Sequence, residues 1–287
     1  MMEKPKNTPK RAIAAFNCRG RLLLMEKPLV MGIINVTPDS FYQGNSRPVI
    51  IDYVDQAIAM HHDGADILDI GGQSSRPGSE RIDAREEMER VIPVINAILK
   101  NIPGAFISID TYHAAVAEAA VNAGACIVND ISGGEMDADM LTTVASLEVP
   151  YILMHMKGRP EDMQLHATYD DITLEVMDYF IVKIDACRKA GIKDIILDPG
   201  FGFGKLAAHN FTLLREMPVF ALMDNPLLCG LSRKSTIYKT LGITPDLALN
   251  GTTVLHTIAL LNGTMILRVH DVKEAREAVQ LTEAYFS

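Results

Sequence analysis

The sequence predicts an α/β chain folded as a single (β/α)8 TIM barrel. Eight short apolar segments recur along its 287 residues, and stretches long enough for helices lie between them. A continuous apolar run followed by a helical crossover is typical of a strand buried on both faces of a parallel sheet. Eight such units within about 250 residues match this barrel, whose active site lies where the strands end.

The predicted strands are short, and most of them end in a polar side chain. They cover residues 29–35, 66–70, 105–110, 125–129, 150–154, 194–198, 227–231 and 264–269. The polar residues at their ends are Asn35, Asp69, Asp110, Asn129, Asp130, His155, Asp198, Lys234, Arg268 and His270. Because the strands of such a barrel all end on one face, we expect these side chains to converge on a single pocket.

The predicted helices lie between the strands. They cover about 49–63, 83–100, 112–123, 136–147, 170–190, 208–216, 233–241 and 246–262, and a last one begins near 271. Asp83 is a suitable N-cap, and Gly64, Gly124 and Gly191 are suitable terminators. Pro93 predicts a kink or a break in the second helix.

One domain is expected, with residues 1–28 as an N-terminal extension and 29–287 as the barrel. The string CRGRLLL predicts a hairpin that covers the barrel floor. The three longest loops follow strands one, two and five, on the same predicted face. Long loops in a compact domain are usually functional.

Composition excludes several classes of function. The net charge is −9, and residues 1–27 carry a local +5, which leaves an acidic body unsuited to nucleic acid. No apolar run reaches about 18 residues, so no membrane span is expected. The N-terminus lacks the apolar core of a signal peptide. Four scattered cysteines without C-x-x-C spacing indicate neither a disulfide framework nor a zinc site. We therefore expect a cytoplasmic protein.

Three carboxylates and an amide end four of the strands. A cluster of Asp69, Asp110, Asp198 and Asn129 in a dry barrel mouth suits a heterocycle with adjacent N–H donors, because Asn can both donate and accept. The alternative is that each residue only caps a helix or closes a turn, as Asp and Asn often do. The presence of all four favours a binding site.

A set of cations follows other strands and predicts an anionic ligand. Its members are Arg76, Arg233, Lys234, Arg268 and His270. The last strand ends of such barrels frequently bind phosphate. Arg268 and His270 flank Val269, so strand alternation puts both on one face. Asn35 offers the kind of oxygen that suits Mg²⁺ shared with the substrate's phosphates.

The glycine-rich string PGFGFGK covers Pro199 to Lys205. Its spacing fits neither a Walker loop nor a dinucleotide fingerprint. We expect a mobile wall of the pocket in which Phe201 and Phe203 can stack on a flat ligand. A plain turn is the alternative.

Several strings together resemble the dihydropteroate synthase family. They are MGIINVTPDSF, DIGGQSSRPG, SID, VND, LMHMKG, LDPGFGFGK, SRKS and RVHDV, in the family's order and spacing from about 29 to 275. The resemblance implies a barrel that joins 4-aminobenzoate to 6-hydroxymethyl-7,8-dihydropterin diphosphate. It also implies Mg²⁺ as cofactor and a homodimer, for which the last helices are the expected interface.

The resemblance also implies a role for individual residues. The residues of the pterin pocket are Asp110, Asn129, Met154, Asp198 and Lys234. Those of the diphosphate site are Asn35, Ser75, Arg268 and His270, with Asn35 also on Mg²⁺. Those around 4-aminobenzoate are Arg76, Pro77, Phe203, Lys234 and Ser235. Asp39 and Asp69 would organise loops, and the catalytic set would be Asp110, Asn129, Asp198, Lys234, Arg268 and His270.

Three positions depart from the family's usual strings. Gln73 stands where the family usually has Glu, Ser75 where it has Thr, and Leu206 where it has Thr. Two other functions remain open: a corrinoid-type pterin-binding methyltransferase and a pterin-binding barrel without catalysis. The set Arg268, Val269, His270 with the string SSRPG favours the synthase, because a methyltransferase would need no grip on diphosphate.

Overall fold

The computed structural model describes residues 14–37, 49–73 and 81–287. In these residues a two-stranded hairpin precedes eight parallel strands. The hairpin strands are β1 (Ala14–Cys18) and β2 (Arg21–Met25). The parallel strands are β3 (Leu29–Asn35), β4 (Ile67–Gly71), β5 (Phe106–Asp110), β6 (Ile127–Asp130), β7 (Tyr151–Met154), β8 (Ile195–Asp198), β9 (Leu228–Cys229) and β10 (Ile266–Val269).

The parallel strands pair in the order β8-β7-β6-β5-β4-β3-β10-β9. A parallel bridge between Leu197 and Leu227 joins the two ends of this order, so the sheet closes on itself. The predicted (β/α)8 barrel is confirmed, with every strand within two residues of its predicted bounds. Strand β9 is the shortest, because the chain turns where Lys234 N–H donates to the Leu231 carbonyl.

Nine α-helices lie in the described part of the chain. They are α1 (Ile50–His62), α2 (Ala84–Asn101), α3 (Ala114–Ala123), α4 (Met140–Leu147), α5 (Ile172–Ala190), α6 (Ala207–Glu216), α7 (Ser235–Leu241), α8 (Leu249–Leu261) and α9 (Val272–Phe286). As predicted, Asp83 caps α2 by accepting from Glu86 N–H at 2.8 Å, and left-handed Gly124 and Gly191 end α3 and α5. None of the helices described is long and apolar enough to cross a bilayer.

The two largest differences between the predicted helices and the structure concern α2 and α4. Helix α2 runs unbroken through Pro93, because residues on both sides of the proline, such as Val91 and Ile95, are fully buried in the core. Helix α4 begins four residues later than predicted. The carboxylate of Asp130 accepts from the N–H groups of Ser132 and Gly134, at 2.7 Å each, which holds the preceding segment as a turn.

The hairpin packs against the lower end of the barrel. Phe16, Cys18, Leu23 and Met25 are buried in one cluster with the first inward-facing residues of the parallel strands. Arg21 lies over the ring of Phe106 at 4.6 Å and donates to the Ala105 carbonyl at 3.2 Å. The four cysteines are buried thiols that fill apolar space.

Strand alternation sorts the side chains inside the barrel into two levels. The lower inward residues belong to the floor cluster and are Met31, Ile67, Phe106, Ile127, Ile152, Ile196, Leu228 and Ile266. Neighbouring residues such as Leu68 and Leu267 point outward into the layer between sheet and helices. Since side chains alternate with a period of two, the residues two positions further on face inward again, nearer the carboxyl end. They are Ile33, Asp69, Ser108, Asn129, Met154, Asp198, Gly230 and Arg268, and Asp110 and His270 lie two positions further still.

Candidate active site at the carboxyl end of the barrel

The centre of the barrel mouth is an arginine held between two aspartates. Arg268 on β10 donates from Nε to Asp69 Oδ2 on β4 at 2.6 Å and from Nη2 to Asp110 Oδ2 on β5 at 2.6 Å. Asn129 on β6 donates from Nδ2 to Asp69 Oδ2 at 3.1 Å. Four residues that the sequence predicted for one pocket, from four different strands, therefore form one connected network.

Burial sets the charge of this network. It raises the pKa of Asp110 to about 7, although the Arg268 guanidinium opposes the shift. Burial also acts to lower the pKa of Arg268, but the carboxylates of Asp69 and Asp110 outweigh it and raise that pKa. Asp69 is fully buried, and its Oδ1 has no hydrogen-bond partner among the described residues. An unpartnered buried acceptor suits an N–H donor brought by a ligand.

The opposite wall of the mouth carries Asp198 and Lys234. Asp198 Oδ1 accepts from Gly200 N–H at 2.7 Å, and Lys234 Nζ donates to the Phe201 carbonyl. Lys234 Nζ and Asp198 Oδ2 lie within 4 Å of the place where a side chain at Gly230 would begin. Burial lowers the pKa of Lys234 to about 8 and raises that of Asp198, each opposed by the other's charge. Asp110 and Lys234 thus both have pKa values close to neutral pH.

A buried lysine anchors the glycine-rich segment. Lys205 Nζ contacts His155 Nδ1 at 2.9 Å and donates to the carbonyls of His155, Gly200 and Phe203 at 3.2, 3.0 and 3.0 Å. The segment is therefore tied to the end of β7, in contrast to the mobile wall expected from its composition. Burial lowers the pKa of Lys205 well below its usual value and that of His155 to about 2, so the imidazole accepts as a neutral ring.

Only one of the two predicted aromatic residues of that segment lines the mouth. Phe203 lies under Lys234, with Nζ 4.6 Å from the ring centre, and it packs with Met154 and Tyr112 in an apolar wall. Phe201 is fully buried among the residues behind the sheet, so its prediction as a stacking residue is wrong.

Arg233 is also placed differently from the prediction. Its guanidinium forms a bidentate pair with Asp271, at 2.8 Å for both bonds, and donates to the carbonyls of Pro245 and Asp246. It therefore holds together the segments after β9 and β10, and its N–H groups bond residues of the same chain. Next to this pair, Ser232 Oγ lies 3.0 Å from His270 Nδ1 and accepts from His270 N–H at 3.1 Å.

The other predicted residues fall into two groups. Asn35 ends β3 beside the same mouth, opposite Gly71 in the sheet register, and Ser235 is the first residue of α7, directly after Lys234. Asp39, Ser75, Arg76 and Pro77 lie outside the described residues, and their roles stay predictions.

Sequence reasoning missed three residues that shape the site: Ser232, Lys205 as an anchor and Asp271 as a clamp. Ser232 and Asp271 stand next to predicted site residues in the strings SRKS and RVHDV, which was the available signal. The sequence shows Lys205 only as the last residue of the glycine-rich string, because the acceptors around it come from two segments about 50 residues apart.

Comparison with known proteins decides the family. The model of the family described as pterin binding enzyme matches residues 31–270. Dihydropteroate synthase of Escherichia coli (strain K12) is 43% identical over 271 residues, which cover 94% of this chain and 95% of that protein. The chain belongs to the dihydropteroate synthase family. The family resemblance predicted from the strings is thus confirmed, and the chain is an enzyme of the transferase class.

Solved structures of dihydropteroate synthases share the fold. The Xanthomonas albilineans enzyme with 4-aminobenzoic acid has a TM-score of 0.89 and 39% identity, covering 95% of this chain and 98% of that one. The same enzyme in complex with 7,8-dihydropteroate has a TM-score of 0.85 and 37% identity, again covering 95% and 98%.

Gln73, one of the departures from the usual strings of the dihydropteroate synthase family, donates from its amide Nε2 to the hydroxyl of Tyr112. The carboxylate of Glu could only accept from that hydroxyl. Arg81 lies over the same ring at 5.2 Å, so Tyr112 contacts residues on both sides of segment 74–80. Leu206 is an exposed residue before α6, and nothing in the structure explains it.

Proposed function

We propose that this protein is a dihydropteroate synthase of folate synthesis. It would join 4-aminobenzoate to 6-hydroxymethyl-7,8-dihydropterin diphosphate and release 7,8-dihydropteroate and pyrophosphate. The observation that carries the proposal is the network of Asp69, Asp110, Asn129 and Arg268, built from four strand ends in a chain of this family. It combines acceptors for a heterocycle with a cation for the leaving group.

The pterin ring occupies the deep part of the mouth in this proposal. Its ring nitrogens and amino group present N–H donors, which suit the carboxylates of Asp110 and Asp198. Asn129 can both donate to the ring and accept from it. Lys234 supplies a donor from the opposite wall, and Met154 supplies apolar contact. Asp198 is buried and the side chain of Asp110 is only 13% exposed, so hydrogen bonds from these carboxylates to the ring are largely shielded from water and gain strength.

The diphosphate lies nearer the rim, at Asn35, Arg268 and His270. Arg268 uses Nε and Nη2 for the two aspartates, and among the described residues no partner accepts from Nη1. Its side chain is 17% exposed, so Nη1 is open to an anionic oxygen from the rim. The two aspartates thereby hold the guanidinium in place before the substrate binds, which is the preorganisation that stabilises developing negative charge.

The donor set fits Mg²⁺ delivered with the substrate. The side-chain oxygen of Asn35 is a hard ligand, which Mg²⁺ prefers. No cluster of three or more His, Cys, Asp or Glu within the described ranges could hold the ion by itself. Asn35 would therefore share it with the diphosphate oxygens. A bound Mg²⁺ would neutralise negative charge that builds on the departing diphosphate.

The reaction is a substitution at the pterin methylene carbon. The bond from this carbon to the diphosphate oxygen breaks, with its electron pair leaving on the oxygen. The nitrogen of 4-aminobenzoate forms the new C–N bond and then loses a proton to water. The positive charge on the carbon spreads into the pterin ring, where the carboxylates of Asp110 and Asp198 stabilise it. An aromatic amine is nucleophilic at neutral pH, so the reaction needs no strong general base.

4-Aminobenzoate lies between the pterin site and the rim. Phe203 offers an aromatic face there, and Lys234 lies above that face. With Ser235 and, by resemblance, Arg76 and Pro77, these residues suit a flat ring that carries one carboxylate. Lys234 thus contacts both substrates, which places the amine close to the pterin methylene.

A second copy of the chain is the proposed partner of helices α8 and α9. Val254, Ile258 and Leu261 are exposed at helical spacing on α8, and Leu281 and Tyr285 are exposed on the neighbouring α9. A contiguous exposed apolar stripe on two packed helices is typical of an interface. Ile258→Glu should convert a homodimer into a monomer in light scattering, whereas Val182→Glu on the exposed face of α5 should not.

Product analysis tests the proposed function. Purified protein with both substrates and Mg²⁺ should form 7,8-dihydropteroate and pyrophosphate in equal amounts, with neither product when 4-aminobenzoate is omitted. Pterin binding without either product would favour a non-catalytic barrel. Methyl transfer to a corrinoid protein instead would favour the methyltransferase.

A further inference from the structure

We propose that Ser232 is a positioning residue that fixes the ring orientation and the tautomer of His270, so that the imidazole presents Nε2–H at the barrel mouth. This inference deepens the proposed function and rests on it for the identity of the anion that receives the bond. It assigns a role to the first serine of the string SRKS and a chemical form to the histidine of RVHDV.

Two hydrogen bonds join the residues, although 38 positions separate them in the chain. Ser232 Oγ accepts from the backbone N–H of His270 at 3.1 Å and lies 3.0 Å from its Nδ1. Ser232 is 4% exposed, whereas His270 is exposed at the rim. One buried hydroxyl therefore contacts both the main chain and the ring of a residue that reaches the solvent-facing side of the site.

The position of the proton follows from the bonds of the hydroxyl. A serine hydroxyl has one hydrogen to donate and two lone pairs that accept. One lone pair is used by the His270 N–H, and Nδ1 is the only acceptor in reach of the hydroxyl hydrogen among the residues described. A buried hydroxyl donates wherever an acceptor is available. Nδ1 therefore accepts, and the neutral imidazole carries its hydrogen on Nε2.

The neighbouring pair keeps this contact in register. Arg233 follows Ser232, Asp271 follows His270, and the two form the bidentate pair at 2.8 Å. The backbone of Arg233 is left-handed, with φ of 53°, and its N–H donates to Thr252 Oγ1 at 3.1 Å. Two adjacent contacts between the same two segments fix the distance between Ser232 and the imidazole without help from a ligand.

The tautomer decides what His270 can do for an anion. With hydrogen on Nε2, the outer ring nitrogen donates to a diphosphate oxygen. With hydrogen on Nδ1, the same nitrogen presents a lone pair, which repels that oxygen. Ser232 thus selects the donating form before the substrate arrives, as a hydrogen bond to one ring nitrogen generally sets the state of the other.

The tautomer can be read directly by NMR. Long-range ¹H–¹⁵N spectra of the intact protein labelled at histidine, at about pH 8.5 where an ordinary histidine is neutral, should show His270 as the Nε2–H form. His270→Gln identifies the signal by its loss. Ser232→Ala should give a mixture of tautomers, Ser232→Thr should keep the wild-type pattern, and Ser146→Ala, an exposed serine on α4, is the matched control.

Kinetics provides the second readout. Ser232→Ala should lower kcat/KM for the dihydropterin diphosphate about tenfold and leave KM for 4-aminobenzoate within about twofold, and Ser232→Thr should restore most of the loss. In a His270→Ala background, Ser232→Ala should have no further effect. An Nδ1–H form in the wild type, or an unchanged spectrum in Ser232→Ala, overturns the inference. If instead the protein turns over neither substrate while the spectra agree, the proposed function fails and the positioning of His270 stands.

Discussion

Arg268 donates a 2.6 Å hydrogen bond to Asp110, although 158 positions separate the two residues in the chain. The same guanidinium bonds Asp69, so one cation neutralises two carboxylates at the centre of the barrel mouth. Breaking a buried ion pair by removing one partner usually costs several kcal/mol, because the other charge stays buried. Here Arg268 has two carboxylate partners, so removal of one aspartate leaves the guanidinium paired with the other. A substitution can therefore reduce activity without a comparable loss of stability.

Asp110→Ala should abolish most turnover and leave the fold intact. Arg268 keeps Asp69, so we expect a loss of about 1–2 kcal/mol in the free energy of unfolding. The loss of the carboxylate at the pterin ring should lower kcat/KM at least about 100-fold. Steady-state kinetics and urea unfolding measure the two effects. Undiminished turnover would refute the proposed role, and Asp185→Ala on the exposed surface is the control.

Activity should depend on pH as a narrow bell. The pKa of Asp110 is raised to about 7, and the proposed reaction needs its carboxylate ionised, so kcat/KM should rise as pH approaches 7. The pKa of Lys234 is lowered to about 8, and its ammonium is needed as a donor, so kcat/KM should fall above pH 8. Lys234→Arg should remove the alkaline limb, since Arg stays charged. A profile that is flat between pH 5.5 and 9.5 contradicts both assignments.

Lys205→Met should detach the glycine-rich segment from the end of β7. The amino group contacts four buried acceptors, and the substitution leaves the carbonyls of His155 and Phe203 without this donor, whereas the Gly200 carbonyl keeps the N–H of Phe203. We expect a loss of about 2–4 kcal/mol in the free energy of unfolding. KM for 4-aminobenzoate should also rise, because Phe203 belongs to this segment. Lys193→Met removes an exposed ion pair with Glu148 and should change stability by less than about 0.5 kcal/mol.

Gly200→Ala should be far more damaging than Gly20→Ala. Both glycines have positive φ, at 71° and 80°, so both variants suffer the same kind of backbone strain. A Cβ at Gly200 would lie 1.9 Å from the His155 carbonyl oxygen, whereas a Cβ at Gly20 meets nothing within 4 Å. We expect a cost of about 1 kcal/mol at Gly20 and at least about 3 kcal/mol at Gly200. Thermal unfolding compares them, and equal losses would show that the contact is unimportant.

Glu87→Gln should stabilise the protein at high pH. Glu87 is 1% exposed, and burial raises its pKa from 4.5 to about 8. The folded state keeps the proton where the unfolded state loses it, so the contribution to stability is complete below about pH 4.5 and is lost as pH rises through 8. Urea unfolding at pH 5 and pH 9 should show Glu87→Gln gaining about 2–4 kcal/mol over the wild type at the higher pH only. Glu89→Gln, on the exposed face of the same helix, should show no such gain.

The barrel and much of its mouth could be predicted because a polar residue marks the end of most strands in the sequence. Asp69, Asp110, Asn129 and Asp198 each follow a short apolar run, and the rule that parallel strands end on one face brings them together. Period-two alternation then turns all four inward. No knowledge of distant contacts is needed for this step.

The remaining details depend on contacts that no local pattern contains. Phe201 and Phe203 alternate as in a strand, but Gly200, Gly202 and Gly204 all have positive φ, so the chain coils and sends Phe201 into the core. The bidentate pair of Arg233 with Asp271 joins segments 38 positions apart, and the sequence shows only two isolated charges. Positive φ at Arg233 is equally invisible, because that conformation is uncommon for any residue other than glycine.

A crystal structure with Mg²⁺ and the dihydropterin diphosphate bound is the most direct test of the central claim, that distant strand ends form one pterin diphosphate site. The pterin ring should contact Asp110, Asn129, Asp198 and Lys234, and the diphosphate should contact Asn35, Arg268 and His270. A pterin ring bound anywhere else, or one that contacts Lys234 but not Asn129, would contradict this claim.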